Sequence, residues 1–93
     1  MKQLNFYFFS KESKVNYTKF ATGLVHRASE FSSDMTLINE TSSRPFEVDL
    51  KSILGVMSLY NGIGQQFLIT IEGKDEEEAY MSLKAYTDSC LSY

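Results

Sequence analysis

One cysteine, one proline, one histidine and no tryptophan occur in this chain of 93 residues. Each scarcity closes off a class of function. Cys90 alone cannot form an internal disulfide, so a reducing compartment fits the chain, and a half-buried place on the last helix suffices to explain the residue. A single histidine, His26, provides neither a His–His metal site nor a conventional catalytic triad. No stretch approaches the ~20 apolar residues of a membrane span. The opening MKQLNFYFF is broken at Asn5, too short for the apolar region of a signal peptide, and lacks a small-residue cleavage site. A cytoplasmic location is therefore expected. Positive charge is also scarce: nine Lys and Arg stand against twelve Asp and Glu, a net charge of −3. Scattered cations and a pI near 5.0 disfavour nucleic acid, which is bound by clustered cations that displace counterions. No repeat, linker or low-complexity tract divides the chain, so residues 1–93 read as a single domain.

What is present is an ordinary core in a small protein. Hydrophobic residues make up 43% of the chain, and seven Phe and six Tyr supply much of the bulk. Leu4, Phe6 and Phe8 alternate with Gln3, Asn5 and Tyr7, the pattern of a strand with one buried face. Residues 10–16 are polar and read as a loop. From Thr18 the period changes: Ala21, Leu24, Val25, Ala28 and Phe31 form the apolar stripe of an amphipathic helix. Gly23 weakens that helix by up to ~1 kcal/mol relative to Ala, which predicts close packing at this point.

Met35 and Leu37, then Phe46, Val48 and Leu50, alternate again. Between them, residues 39–45 are rich in turn formers and predict a rather long hairpin loop. Ser52 is an N-cap candidate for a short helix carrying Ile53, Leu54, Val56 and Met57. Asn61-Gly62 and Gly64 mark turns before a fourth strand with Phe67, Ile69 and Ile71 on one face. Asp75 and Glu78 predict a capping box for a last helix, with Glu76 and Glu77 near the positive end of its dipole. Ala79, Leu83, Tyr86 and Cys90 then share one face. The acidic run 75–78 has no partner cluster and reads as a helix start, not a metal site. The order β-α-β-β-α-β-α gives an α+β fold, a four-stranded antiparallel sheet covered by helices on one face.

That order, together with Val48-Asp49-Leu50-Lys51-Ser52-Ile53-Leu54-Gly55-Val56-Met57-Ser58-Leu59, resembles the HPr family, the histidine-containing phosphocarriers of the bacterial sugar phosphotransferase system. The string KSILGVMSL is similar to the family's regulatory serine motif. Gly73-Lys74-Asp75-Glu76 with Ala79 resembles the start of its final helix, and Leu24-Val25, Ala28-Ser29 and Phe31 resemble its first. The likeness implies an open-faced β-sandwich over almost the whole chain, with insertions near residues 10–14 and 40–46, where loops tolerate them.

The departure falls at the family's phosphate acceptor. Where the family carries a Gly-hydrophobic-His-Ala-Arg-Pro-Ala motif, this chain reads Val15-Asn16-Tyr17-Thr18-Lys19-Phe20-Ala21. Tyr17 stands for the histidine, Lys19 for the arginine and Phe20 for the proline. A phenol with a pKa of about 10 is a poor nucleophile at neutral pH without an activating base. Lys19 keeps a charge but loses the two-pronged phosphate grip of arginine. Tyr17 is thus expected to be a surface or packing aromatic. His26 cannot stand in for it: nine residues further along a helix means ~13.5 Å along the axis and nearly the opposite side.

The resemblance implies that Ser52 is a regulatory phosphorylation site, although an N-cap role alone would also explain it. A phosphate there would meet free amides and neighbouring Lys51. Ile53, Leu54 and Met57 lie on a helix too short to bury them all, so they read either as a docking patch or as core completion. The expectation is a binding module, not an enzyme, similar in logic to the catabolite repression HPr-like proteins that lack the acceptor histidine. It would need no cofactor or metal, and Ser52, Lys19, Lys51 and the Ile53-Leu54-Met57 patch would meet protein partners. The resemblance names these as a serine kinase/phosphorylase and a transcription regulator or another phosphotransferase-system protein, with a homodimer as a further option. A phosphocarrier with an unexpected acceptor, and a scaffold without phosphorylation, are the alternatives.

Overall fold

The computed structural model describes residues 1–9, 15–41, 47–60 and 64–91. Its elements follow the expected order: β1 (Lys2–Phe8), α1 (Tyr17–Ala28), β2 (Asp34–Asn39), β3 (Glu47–Asp49), α2 (Ile53–Ser58), β4 (Gln65–Glu72) and α3 (Glu76–Leu91). The strands form one sheet in the order β1-β4-β2-β3, with every pairing antiparallel. The fold is an α+β open-faced sandwich. Phe46, most of the hairpin loop and the Asn61-Gly62 turn lie outside the described residues, as does most of the polar loop at 10–16.

Period-two alternation decides which face each strand buries. Leu4, Phe6 and Phe8 of β1 point inward with Phe67, Ile69 and Ile71 of β4 and Met35 and Leu37 of β2. Register places Phe6 opposite Phe67 and Leu4 opposite Ile69, and Leu37 sits on the other flank of Ile69. Phe20, Ala21, Leu24 and Ala28 of α1, with Ala79 and Leu83 of α3, close the core from the helix side. Phe31 lies beyond the end of α1 at Ala28 and is only half-buried, so the helical stripe is one turn shorter than its spacing predicts. No helix among the described residues is long and apolar enough to cross a membrane.

Gly23 is where α1 meets α3. A β-carbon there would lie 2.7 Å from Tyr86 Cζ, and the Tyr86 hydroxyl donates to the Phe20 carbonyl at 2.9 Å. The tyrosine fills the space that a side chain on α1 would need, and this offsets the cost of glycine in a helix.

The capping box at the start of α3 needs correction. Asp75 does hold the cap position, since its carbonyl accepts from Ala79 N at 2.9 Å. Its carboxylate, however, turns to the loop after α1, accepting from Ser32 N at 2.8 Å and Ser33 N at 2.9 Å and from both serine hydroxyls. These bonds hold its carboxyl down to about 2. The reach back that was expected of Glu78 is made by Glu76, whose Oε1 accepts from Gly73 N at 3.2 Å. The Asp75 side chain thus ties the loop after α1 to the start of α3 instead of capping its own helix.

Candidate functional site

Two positions singled out by the sequence, Tyr17 and Ser52, are brought together by α1 and α2. Asn16 caps α1, its side-chain oxygen accepting from Lys19 N at 2.9 Å, and this sets Tyr17 as the first helical residue. The Tyr17 ring turns inward and is 3% exposed. It stacks on Tyr60 with centroids 4.4 Å apart and meets Phe8 edge-on at 5.2 Å. Its hydroxyl donates to the Val56 carbonyl at 2.7 Å. Burial, with Tyr60 alongside, pushes its pKa above the ordinary phenol range. The packing expectation for Tyr17 holds and the surface alternative does not. A neutral, buried phenol whose proton is already engaged offers no nucleophile. His26 is exposed in the last turn of α1.

Ser52 is exposed and caps α2, accepting from Gly55 N at 3.2 Å. A six-residue helix has little stability of its own, because few bonds offset the cost of nucleation. Side chains from three other elements supply it. Tyr17 holds the Val56 carbonyl, while Asn39 Nδ2 at 3.2 Å and Gln65 Nε2 at 2.9 Å hold the Leu59 carbonyl. Val56 and Leu59 fill the inner side.

On the outer side Leu54 is 81% exposed and Ile53 39%. Met57 is half-buried against the core, so the patch is chiefly Leu54 and Ile53. Lys19 is exposed on the first turn of α1. Lys51 behaves differently from expectation: its ammonium donates to the Phe31 carbonyl at 2.7 Å, so it braces the loop after α1 and is not a free cation beside Ser52.

The sequence reading missed Asn16, Asn39 and Gln65. Asn16 stands three residues before a capped amide, a legible N-cap signal. Asn39 shares the parity of Met35 and Leu37, and Gln65 that of Phe67, Ile69 and Ile71. A polar amide at core parity must find buried partners, and here the partner is the end of α2. No group of three or more His, Cys, Asp or Glu among the described residues could hold a metal ion.

The profile described as the PTS HPr component phosphorylation site matches residues 17–89. The chain belongs to the HPr family. The phosphocarrier protein HPr of Lysinibacillus sphaericus is 40% identical over 63 residues, covering 68% of this chain and 67% of that protein. HPr-C-His from Thermoanaerobacter tengcongensis superposes with a TM-score of 0.76 at 31% identity, covering 96% of this chain and 93% of its own. Crh, the Bacillus subtilis catabolite repression containing protein, described as a dimer with a swapped domain, superposes with a TM-score of 0.62 at 30% identity over 87% and 88%. The chain is thus a phosphocarrier-like HPr-family protein, and its neighbours include both HPr and Crh. The family match begins at Tyr17, the position that resemblance assigns to the acceptor.

Proposed function

We propose that this HPr-family protein is a cytoplasmic regulatory binding module without phosphocarrier activity, switched by phosphorylation at Ser52. The observation that carries the reading is the bond from the buried Tyr17 hydroxyl to the Val56 carbonyl. At the acceptor position the chain has a core side chain in place of an exposed nucleophile. Ser52, by contrast, is exposed, and its hydroxyl serves as the cap acceptor for Gly55 N. The exposed Leu54 and Ile53 beside it give an apolar patch next to a charge that can be switched on. Lys19 on the neighbouring helix adds a cation to the surface that the phosphorylated form would present to its partner, while Met57 lends only its half-exposed edge.

The partners in this reading are a serine kinase/phosphorylase and a transcription regulator or phosphotransferase-system protein. The buried Tyr17 supports the regulatory over the carrier role, and Crh, a catabolite repression protein, stands beside HPr among the structural neighbours. Incubation with phosphoenolpyruvate and the first enzyme of the sugar relay, and separately with ATP and the serine kinase, tests it. Mass spectrometry is expected to find label on Ser52 from ATP alone. Acid-labile label from phosphoenolpyruvate would make the protein a carrier, and no label from either source would leave an unphosphorylated scaffold.

A further inference from the structure

The sheet has a second face, opposite α1 and α3. Register aligns its outward positions in rows: Leu68 beside Ile38 at the middle, Thr70 beside Thr36 in the next row, and Glu72 beside Asp34 at the end. Leu68 and Ile38 are half-buried, and the two threonine hydroxyls share a hydrogen bond. Glu47 and Asp49 of β3 continue the first two rows, and Glu40 stands past the other end of β2. An apolar pair is thus bordered on three sides by Asp34, Glu40, Glu47, Asp49 and Glu72, all exposed. These are five of the chain's twelve acidic side chains.

Among the described residues no ion pair closes on them. The outward strand positions of this face hold no Lys or Arg, and the ion pairs present lie elsewhere, at Met1–Glu76, Lys2–Glu77 and Lys84–Asp88. Lys51 shares a groove with Asp34, Glu47 and Asp49, its ammonium donating to the Phe31 carbonyl, so a single cation faces this part of the border. Glu40 accepts one hydrogen bond from Asn5 at 2.8 Å, and Asp49 accepts one from Lys51 N at 2.9 Å. Asp34 and Glu72 face each other directly across the strands, a like-charge pairing that works against the sheet. The fold therefore keeps an unfavourable arrangement that a cationic partner would relieve.

We propose that this uncovered sheet face docks a cationic protein segment, with Lys or Arg meeting the acidic border around an apolar side chain seated on Ile38 and Leu68. Nucleic acids and anionic membranes are repelled by the same border. The surface lies on the other side of the sheet from the helices, so it is independent of the Ser52 and Leu54 reading and would make the protein an adaptor between two partners.

The test is a titration of isotope-labelled protein followed by amide NMR shifts at low salt. The probes are three capped pentapeptides: Lys-Arg-Leu-Arg-Lys, Lys-Arg-Ser-Arg-Lys and Glu-Glu-Leu-Glu-Glu. The first is expected to give saturable shifts at Thr36, Ile38, Leu68 and Thr70, the second to bind several-fold more weakly, and the third not to bind. Joint Glu47→Lys and Glu72→Lys substitution should weaken the first peptide roughly tenfold, while the same charge change at exposed Glu30 and Glu78 leaves it within about twofold. Shifts centred on α3, equal binding of the leucine and serine peptides, or equal effects of the two charge variants would overturn the proposal. So would a self-association through this face that the peptide does not displace.

Discussion

Replacing Tyr17 with Phe isolates the one bond on which the functional reading rests. The ring is expected to keep its place, since Tyr60, Phe8 and Phe20 pack around it and phenylalanine conserves nearly all its volume. What is lost is the donor to the Val56 carbonyl. Leaving a buried acceptor wholly unsatisfied costs about 1–3 kcal/mol. The Val56 carbonyl, however, also accepts from Leu59 N at 3.3 Å, so it retains one long bond. That places the expected loss near the low end, about 1 kcal/mol, or a fall in Tm of roughly 4–8 °C for a domain of this size. Paired thermal and urea melts measure it. A variant as stable as the parent would mean that the hydroxyl is not committed to α2, and the argument that the acceptor position has become core would lose its main support. Tyr17→His extends the test. It removes the same bond and part of the stacked ring, so it should destabilise more than Phe does.

Gly23→Ala should destabilise the protein in thermal melts although Ala favours helix by about 1 kcal/mol, because the new methyl displaces Tyr86 from the Phe20 carbonyl. A gain in stability would show that Tyr86 moves aside freely. Alkaline titration should reveal Tyr17: its folded pKa is raised, so its contribution is complete below the ordinary value of about 10 and is lost as pH rises beyond it, when the unfolded phenol ionises first. Stability curves above about pH 10 should fall less steeply in Tyr17→Phe than in the parent. Leu54→Ser should leave stability within about 0.5 kcal/mol, as expected for a surface site, while weakening capture of any partner of the phosphorylated form.

Element order, strand faces and the N-cap at Ser52 were legible because each depends on local pattern. Leu4-Phe6-Phe8 and Phe67-Ile69-Ile71 alternate without interruption, and nothing in the tertiary structure overrides them. The errors came where a polar side chain had two local options and a distant one. Asp75 could cap α3 or bind the loop at Ser32 and Ser33, and four donors at one carboxylate outweigh a single helix amide. Lys51 could stay near Ser52 or reach the Phe31 carbonyl, a choice fixed by how α1 ends. Tyr17 was legible as a packing aromatic, but its partner is 39 residues away in sequence and no spacing rule reaches that far.

The exposure of Leu54 acquires its meaning from the way α2 is held. An apolar side chain on a fraying helix would say little, since a mobile segment can bury it part of the time. Here Ser52 caps the first turn, Tyr17 holds the Val56 carbonyl, and Asn39 and Gln65 together hold the Leu59 carbonyl. Val56 N in turn donates to the Ser52 carbonyl at 3.0 Å, so the serine and the tyrosine are joined through a single residue of α2. A helix fixed at both ends with Val56 and Leu59 buried cannot roll to hide Leu54 without breaking several of these bonds at once. The substitution that takes the nucleophile away from the start of α1 therefore also stiffens the platform beside Ser52. In the proposed reading, loss of carrier chemistry and a preorganised docking surface would both follow from this one side chain, which is the physical reason to favour a binding role over a merely inactive one.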